Sequence, residues 1–253
     1  MNSDLSGSSV VVTGGGSGIG RAAALQFAGL GAKVVVADVN GDAAKAVAEE
    51  ITAGGGTAVV VAGDLTDSAV VDEVVATAVQ EFGGLDVLVC NAGIMDSMSA
   101  AADVTDEEWE RVIGVNLTAP FRLTRAALPH MIAKGKGSIV YTASEAGLRG
   151  SAAGLAYTTS KTALIGLTRS VAITYRDSGI RANAIAPGGT RTGIYFTPDP
   201  AGHGPQVLGR YMGNIGRLAE ADEQANAIVF LASDAASNIS GVVLPVDNGW
   251  SAV

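Results

Sequence analysis

The sequence predicts an α/β fold: a parallel β-sheet of about seven strands, doubly wound with helices on both faces. Three observations carry that reading. Short β-branched runs alternate with helical stretches nearly to the end of the chain, the pattern of successive β-helix-β crossovers. The runs are short and apolar, as expected of buried parallel strands. Glycine makes up 34 of 253 residues, well above its usual share of about 7%, which suits many tight strand-to-helix junctions.

In chain order, strands are expected over 10–13, 33–38, 57–62, 86–90, 138–142, 181–186 and 242–246. Helices are expected between them over 18–30, 42–53, 68–82, 106–133, 156–177 and 220–232. Thr105, with Glu108 three residues on, reads as a capping box opening the fourth helix. No internal repeat, low-complexity tract or linker interrupts the alternation, so 1–253 reads as one domain. The exception is 191–216, where Pro198, Pro200 and Pro205 mix with Gly202, Gly204 and Gly209 and helical periodicity lapses. A long irregular segment within a compact domain is usually functional. Ile194, Tyr195, Phe196, Tyr211 and Met212 give this one apolar surface, so it reads as a substrate lid, with a subunit contact as the alternative.

Composition narrows the function classes. Sixteen basic against 25 acidic residues leave a formal net charge of −9, which argues against nucleic acid or an anionic membrane as partner. No apolar run approaches the roughly 18 residues of a membrane helix. Met1-Asn2-Ser3-Asp4-Leu5 shows no basic-then-apolar signal pattern. With a single cysteine, Cys90, a cytoplasmic setting fits best. His130 and His203 are the only histidines, too few with one cysteine for a usual zinc ligand set. No metal is expected.

The stretch Thr13-Gly14-Gly15-Gly16-Ser17-Gly18-Ile19-Gly20 follows a buried strand and opens a helix. A turn without side chains lets a ligand approach the backbone, and the helix N-terminus favours anionic oxygens, so the stretch reads as a diphosphate cradle. It is not a triphosphate P-loop, because no Gly-Lys-Ser/Thr follows. Asp38 ends the second strand, where a carboxylate can accept hydrogen bonds from a ribose and would repel a 2′-phosphate. Ser17 and Val39 offer no cation for that phosphate, so NAD is expected over NADP.

Tyr157 and Lys161 stand four apart on one helical face. A free phenol titrates near 10; an ammonium beside it, joined by an oxidised nicotinamide, would lower that. Such pairs also arise by chance on helices. Ser144 falls at the end of the fifth strand, the side of the sheet where ligands bind in this architecture. Asn116 and Pro120 form a further clue. Pro120 has no N–H for the carbonyl of residue 116, and the freed group can hold a water for proton relay, or simply mark a kink.

In this ordered set the chain resembles the short-chain dehydrogenase/reductase family, of the compact single-domain, Rossmann-type form, over essentially its whole length. The matching features are Thr13-Gly14-x-x-x-Gly18-x-Gly20, Asp64-Leu65, Asn91-Ala92-Gly93, Asn116, Ser144, Tyr157-x-x-x-Lys161, Pro187-Gly188 and Val246-Asp247-Asn248-Gly249. The resemblance implies reversible hydride transfer between NAD and a secondary alcohol or ketone. Tyr157 is then the acid/base, Lys161 its modulator and a nicotinamide-ribose ligand, Ser144 the group steadying the substrate oxygen, and Asn116 the support of a water relay. It further implies that Gly14, Ser17, Gly18, Ile19, Gly20 and Asp38 meet the cofactor, as do Asp64 and Leu65 at the adenine. Asn91 and Gly93 would lie along the adenosine and Thr190 and Thr192 would face the carboxamide, with Ala92, Pro187 and Gly188 as further cofactor contacts. Cys90 and Ala143 depart from residues the family often has there, and neither removes a reactive group.

Leu148, Leu155 and Met95, with Ile194 and Tyr195 of the lid, suggest an apolar substrate pocket to which Glu145 adds one polar contact. A neutral small molecule, cyclic or aryl, is the expected substrate, and a homotetramer the assembly the resemblance implies. Two alternatives stand. One is a 3-oxoacyl-thioester reductase, for which Arg149, Arg191 and Arg217 supply basic groups. The other is a non-catalytic NAD-binding protein, whose mark would be loss of Ser, Tyr or Lys from the set. Enoyl reductases of similar fold use a wider Tyr–Lys spacing.

Overall fold

The computed structural model describes residues 5–195 and 197–252. Residues 1–4, on which most of the N-terminal reading rests, Phe196 of the expected lid, and Val253 lie outside the described residues. The first half runs β1 (Ser9–Thr13), α1 (Gly18–Gly29), β2 (Lys33–Asp38), α2 (Gly41–Ala53), β3 (Thr57–Ala62), α3 (Ser68–Phe82) and β4 (Val87–Cys90). Then come α4 (Asp106–Ile113), α5 (Ala119–Lys134), β5 (Gly137–Thr142), α6 (Leu155–Thr174), β6 (Ile180–Pro187), α7 (His203–Leu208), α8 (Ala221–Ala232) and β7 (Val243–Val246).

The strands form one parallel sheet in the order β3-β2-β1-β4-β5-β6-β7. From β1 the chain winds outward through β2 and β3; from β4 it winds outward the other way. The order therefore reverses between β1 and β4, and a crevice opens at their carboxyl ends. Pairing at Val10↔Val87 and Val12↔Val89 keeps those ends level.

Both faces of the sheet are covered. Val11, Val35, Leu88 and Ile139 pack with Val74 of α3, Leu123 and Met131 of α5 and Leu164 of α6. Val10, Val12, Val34, Val36, Val89 and Val140 pack with Phe27 of α1, Val47 of α2 and Ile228 of α8. These strand side chains have no solvent access, and burying one Val or Leu is worth about 1.5–3 kcal/mol. Burial on both faces is why the strands read as continuous apolar runs rather than as alternating ones.

Three expectations need correction. The single helix expected over 106–133 is two helices joined by a π-helical turn, Gly114–Thr118. Pro120 has no N–H with which to close the normal ladder onto residue 116, and the Ala119 amide reaches back five residues to Gly114. The capping box at Thr105 is only half made. Thr105 accepts from the Glu108 amide at 3.2 Å, but the Glu108 carboxylate instead accepts from Ser97 N at 2.5 Å and Ser99 Oγ at 2.8 Å. Finally, 191–216 is not irregular throughout: it holds α7 and a 3₁₀ stretch, Gly209–Ile215. Pro205 is tolerated because it falls in the first turn of α7, where an N–H has no intrahelical partner.

Candidate active site

The glycine turn is locked to the strand beside it. Thr13 Oγ1 donates to Val89 O at 3.2 Å and accepts from the amides of Asn91 (3.0 Å) and Ala92 (3.2 Å). Asn91 Nδ2 returns a bond to Thr13 O at 3.1 Å, and its Oδ1 accepts from Thr142 Oγ1 at 3.3 Å. The ends of β1, β4 and β5 are thus stitched into one floor. Gly14 has φ +64°, and a Cβ on Gly20 would stand 2.0 Å from Gly14 O, so this turn closes only without side chains. Ser17 precedes α1 without capping it through its side chain, and the first turn holds no acidic residue. The leading amides of Gly18, Ile19 and Gly20 are left to an outside acceptor.

Asp38 joins this cradle from β2. Its Oδ2 accepts from Gly16 N at 2.9 Å and its Oδ1 from Asn40 N at 2.9 Å. Each carboxylate oxygen keeps acceptor capacity for hydroxyls. From the far side Thr192 closes in, since a Cβ on Gly18 would lie 3.0 Å from its Cβ. Thr190 Oγ1 donates to Gly188 O at 3.1 Å and accepts from Gln224 at 3.2 Å, which fixes the bend after Pro187. Asp64 and Leu65 sit past β3, where Asp64 Oδ1 accepts from Thr66 N at 2.8 Å and Leu65 is buried. A side-chain-free turn, an open helix N-terminus and a carboxylate at the end of β2 fit a dinucleotide's diphosphate and ribose.

The second cluster lies on the β4 and β5 side. Tyr157 is in the first turn of α6 and Lys161 one turn on, both buried. Lys161 Nζ donates to Thr142 O at 2.8 Å and sits 5.4 Å from the Tyr157 ring centroid. A Cβ on Gly93 would lie 3.2 Å from that ammonium, so the loop after β4 passes directly beneath it. Asn116, in the π turn, clamps the same loop: its Oδ1 accepts from Ile94 N and its Nδ2 donates to Ile94 O, both at 2.9 Å, with Ser160 Oγ at 3.2 Å. Ser144 Oγ accepts from Ala146 N at 3.1 Å, which turns the chain after β5 and holds the hydroxyl near Tyr157.

Burial dominates the electrostatics. It pushes the Tyr157 phenol up to about 12, opposed by a hydrogen bond with Ser144 and reinforced by the charge of Asp96. It draws Lys161 down to about 8. The protein alone therefore moves the phenol opposite to the direction argued from the Tyr–Lys spacing, because desolvation outweighs an ammonium that is bonded to Thr142 O.

The expected substrate contacts separate. Glu145 is buried, neither carboxyl oxygen has a hydrogen-bond partner among the described residues, and burial pushes it up to about 7. Tyr195 is 85% exposed and Ile194 44%. Around the phenol itself lie Val112, Ala146, Ala153 and Ala156, flanked by Ile94 and Met95. A pocket of about 410 Å³ lies at the opposite end of the sheet beside Asp86, Lys136 and Arg181. Asp96 is absent from the sequence reading. It is a buried carboxylate bonded to the Tyr157 amide at 2.9 Å. Its one sequence signal is an acidic residue three positions past Gly93, directly after the apolar pair Ile94-Met95.

Residues 14–251 match a family model described as enoyl-(acyl carrier protein) reductase. The chain is 41% identical to 3beta-hydroxysteroid dehydrogenase 2 of Eggerthella lenta, over 99% of this chain and 97% of that one. It is 43% identical to cis-4-hydroxycyclohexanecarboxylate dehydrogenase of Sinomonas cyclohexanicum, over 96% of each. A crystal structure of 3-ketoacyl-(acyl-carrier-protein) reductase from Brucella melitensis, complexed with NADH, superposes with a TM-score of 0.87 at 35% identity, covering 98% of this chain and 99% of the other. With near-complete matches to oxidoreductases on both sequence and fold, the chain belongs to the short-chain dehydrogenase/reductase family.

Proposed function

We propose that this protein interconverts a secondary alcohol and a ketone, with NAD(H) as hydride carrier and Tyr157 as general acid/base. The observation that supports it most is the meeting of Ser144, Tyr157 and Lys161 at one end of the crevice whose other end is the glycine cradle. Gly14, Ser17, Gly18, Ile19 and Gly20 would hold the diphosphate, and Asp38 the adenosine ribose. Asp64 and Leu65 would meet the adenine, and Asn91, Ala92 and Gly93 would lie along the adenosine. Lys161 would take the nicotinamide ribose, with Pro187, Gly188, Thr190 and Thr192 beside the carboxamide. The bound cofactor supplies or accepts the hydride.

The chain's own residues handle the proton and the oxygen. Ser144 Oγ holds the substrate oxygen, and the Tyr157 hydroxyl gives its proton to that oxygen as the ketone is reduced. In the reverse direction Tyr157 takes the proton from the alcohol. A phenol raised by burial keeps its proton near neutral pH, so it stands ready to donate in reduction, whereas oxidation needs the phenolate and depends on positive charge close to the ring. Lys161 is the protein's contribution to that charge. Asn116 has its side chain committed to Ile94 and Ser160, which leaves its backbone carbonyl for a relay water.

A ring-bearing substrate with a largely apolar body is favoured. The surroundings of Tyr157 are apolar, and the two relatives named above act, by name, on a hydroxysteroid and a hydroxycyclohexane carboxylate. The segment 191–216 serves as lid to a single domain, with Ile194 and Tyr195 on its surface. A 3-oxoacyl thioester is the second reading, favoured by the likeness to a ketoacyl reductase. Exposed Phe121 on α5 and Ile173 on α6 support a homotetramer built through those long helices. One buried, unpaired cysteine suits the cytoplasm.

The test is Tyr157→Phe, assayed against cyclic secondary alcohols and their ketones. Turnover should fall at least about 1,000-fold while NADH still binds with its original affinity. Retained turnover would refute the acid/base assignment. In the same assays kcat/KM with NADPH should lie far below that with NADH; equal values would remove the argument from Asp38.

A further inference from the structure

We propose that Asp96 is a positioning residue for Tyr157: its carboxylate closes the N-terminus of α6 from a distant segment and so fixes where the phenol stands. The proposal rests on Tyr157 being the acid/base.

A helix N-terminus exposes amides with no intrahelical acceptor, and the usual remedy is a Ser, Thr, Asp or Asn immediately before the helix. Here that position is Gly154, which has no side chain to offer. Asp96 does the work instead. Its Oδ1 accepts from Gly154 N at 3.1 Å and Met98 N at 3.0 Å, and its Oδ2 from Tyr157 N at 2.9 Å. Leu155 N adds a bond to Ser99 O at 3.0 Å. Glycine and aspartate are matched, since a Cβ on Gly154 would stand 2.6 Å from Asp96 Oδ2.

The bracing segment is itself held rigid. Ser97 N and Ser99 Oγ donate to Glu108 of α4. Met98 is kept at φ +61°, a conformation that non-glycine residues rarely adopt without support from their surroundings. The segment also continues directly from Asn91–Gly93 and from Ile94, which Asn116 clamps. A local cap would stabilise α6 equally well but would leave Tyr157 referenced to its own helix. Capping from the β4 loop references the phenol to the floor on which the cofactor and Lys161 rest. Misplacing a reacting group by about 1 Å can cost on the order of 100-fold in rate.

The experiment compares wild type, Asp96→Ala, Asp96→Asn and Tyr157→Phe, with kcat expressed per NADH-binding site so that unfolded protein does not count. Asp96→Ala should lose about 10- to 100-fold in kcat, with KM and NADH affinity changed by no more than about threefold. Asp96→Asn should fall between, because an amide oxygen serves one side of the pair while its NH₂ cannot accept from the other. The pH profile gives a reading that a merely structural role would not move. Ser144, Lys161 and Asp96 are the groups facing the phenol, and Glu108 faces Asp96. Removing the Asp96 charge should shift the limb of the oxidation rate that Tyr157 governs to lower pH. If kcat per site and that limb are unchanged in Asp96→Asn while Tyr157→Phe is inactive, the proposal is overturned and the reading of Tyr157 survives. If Tyr157→Phe keeps its turnover, both fall together.

Discussion

Glu145 is one residue past Ser144, sealed from solvent, with both carboxyl oxygens lacking a hydrogen-bond partner among the described residues. Burial pushes it up to about 7, with Asp247 adding to the effect and Arg149 opposing it. A carboxyl raised in the folded state holds its proton more tightly there than in the unfolded chain. Its stabilising contribution is therefore complete below the ordinary value of 4.5 and is lost as pH rises through about 7. Glu145→Gln keeps the shape and removes the titration. The melting temperature of the variant relative to wild type should therefore climb between pH 5 and pH 8, by several degrees if a full unpaired charge is being avoided. A gap that stays constant across that range would show that Glu145 is satisfied by something else. At this scale the sequence is uneven. Tyr157, Lys161, Ser144 and the glycines are legible because their partners are near in sequence or fall at strand ends. Asp96 is not, because what identifies it is three amides, two of them about sixty residues away in sequence.

At the scale of elements, α7 carries the sharpest test. A Cβ on Gly204 would stand 2.0 Å from Met98 O, and backbone cannot swing aside as a side chain can. Gly204→Ala must push α7 off the 98–100 loop. If 191–216 covers the substrate, KM for the alcohol should rise about tenfold or more, from loss of uniform binding energy, with NADH affinity unaltered. An unchanged KM would argue that the segment is a surface or subunit element instead. The same element shows where pattern reading stops. The strands announce themselves through β-branched runs, since burial on both faces leaves no ambiguity of phase. In α7 three glycines and a proline around a six-residue helix hide any periodicity. The π turn before α5 is equally silent apart from Pro120, because it depends on one backbone bond between Ala119 and Gly114. Glu108 reads as half of a local capping box, yet its carboxylate is drawn to Ser97 and Ser99 by the fold of the preceding loop.

For the molecule as a whole the puzzle is charge. A chain of net charge −9 is proposed to bind a dianionic dinucleotide, and the turn over 13–20 contains no Lys or Arg. The nearest cation in sequence, Arg21, is paired with Glu50 at 2.6 Å, while Asp38 contributes a negative charge beside the cradle. Attraction must then come from short-range sources: the open amides of α1, its dipole, and contacts in the crevice. Added salt acts mainly on longer-range interactions between exposed charges, with a screening length of about 8 Å near 0.15 M. Here the longer-range field is repulsive. Raising the salt from about 20 to 200 mM should leave the NADH dissociation constant unchanged or tighten it, as read by the quenching of protein fluorescence. A site clamped by lysines or arginines would do the opposite. Weakening by several-fold over that range would mean that cations outside the cradle hold the cofactor, with Arg191 the first to test, since it lies beside Thr190 and Thr192 and is only partly neutralised by Glu220 at 3.0 Å.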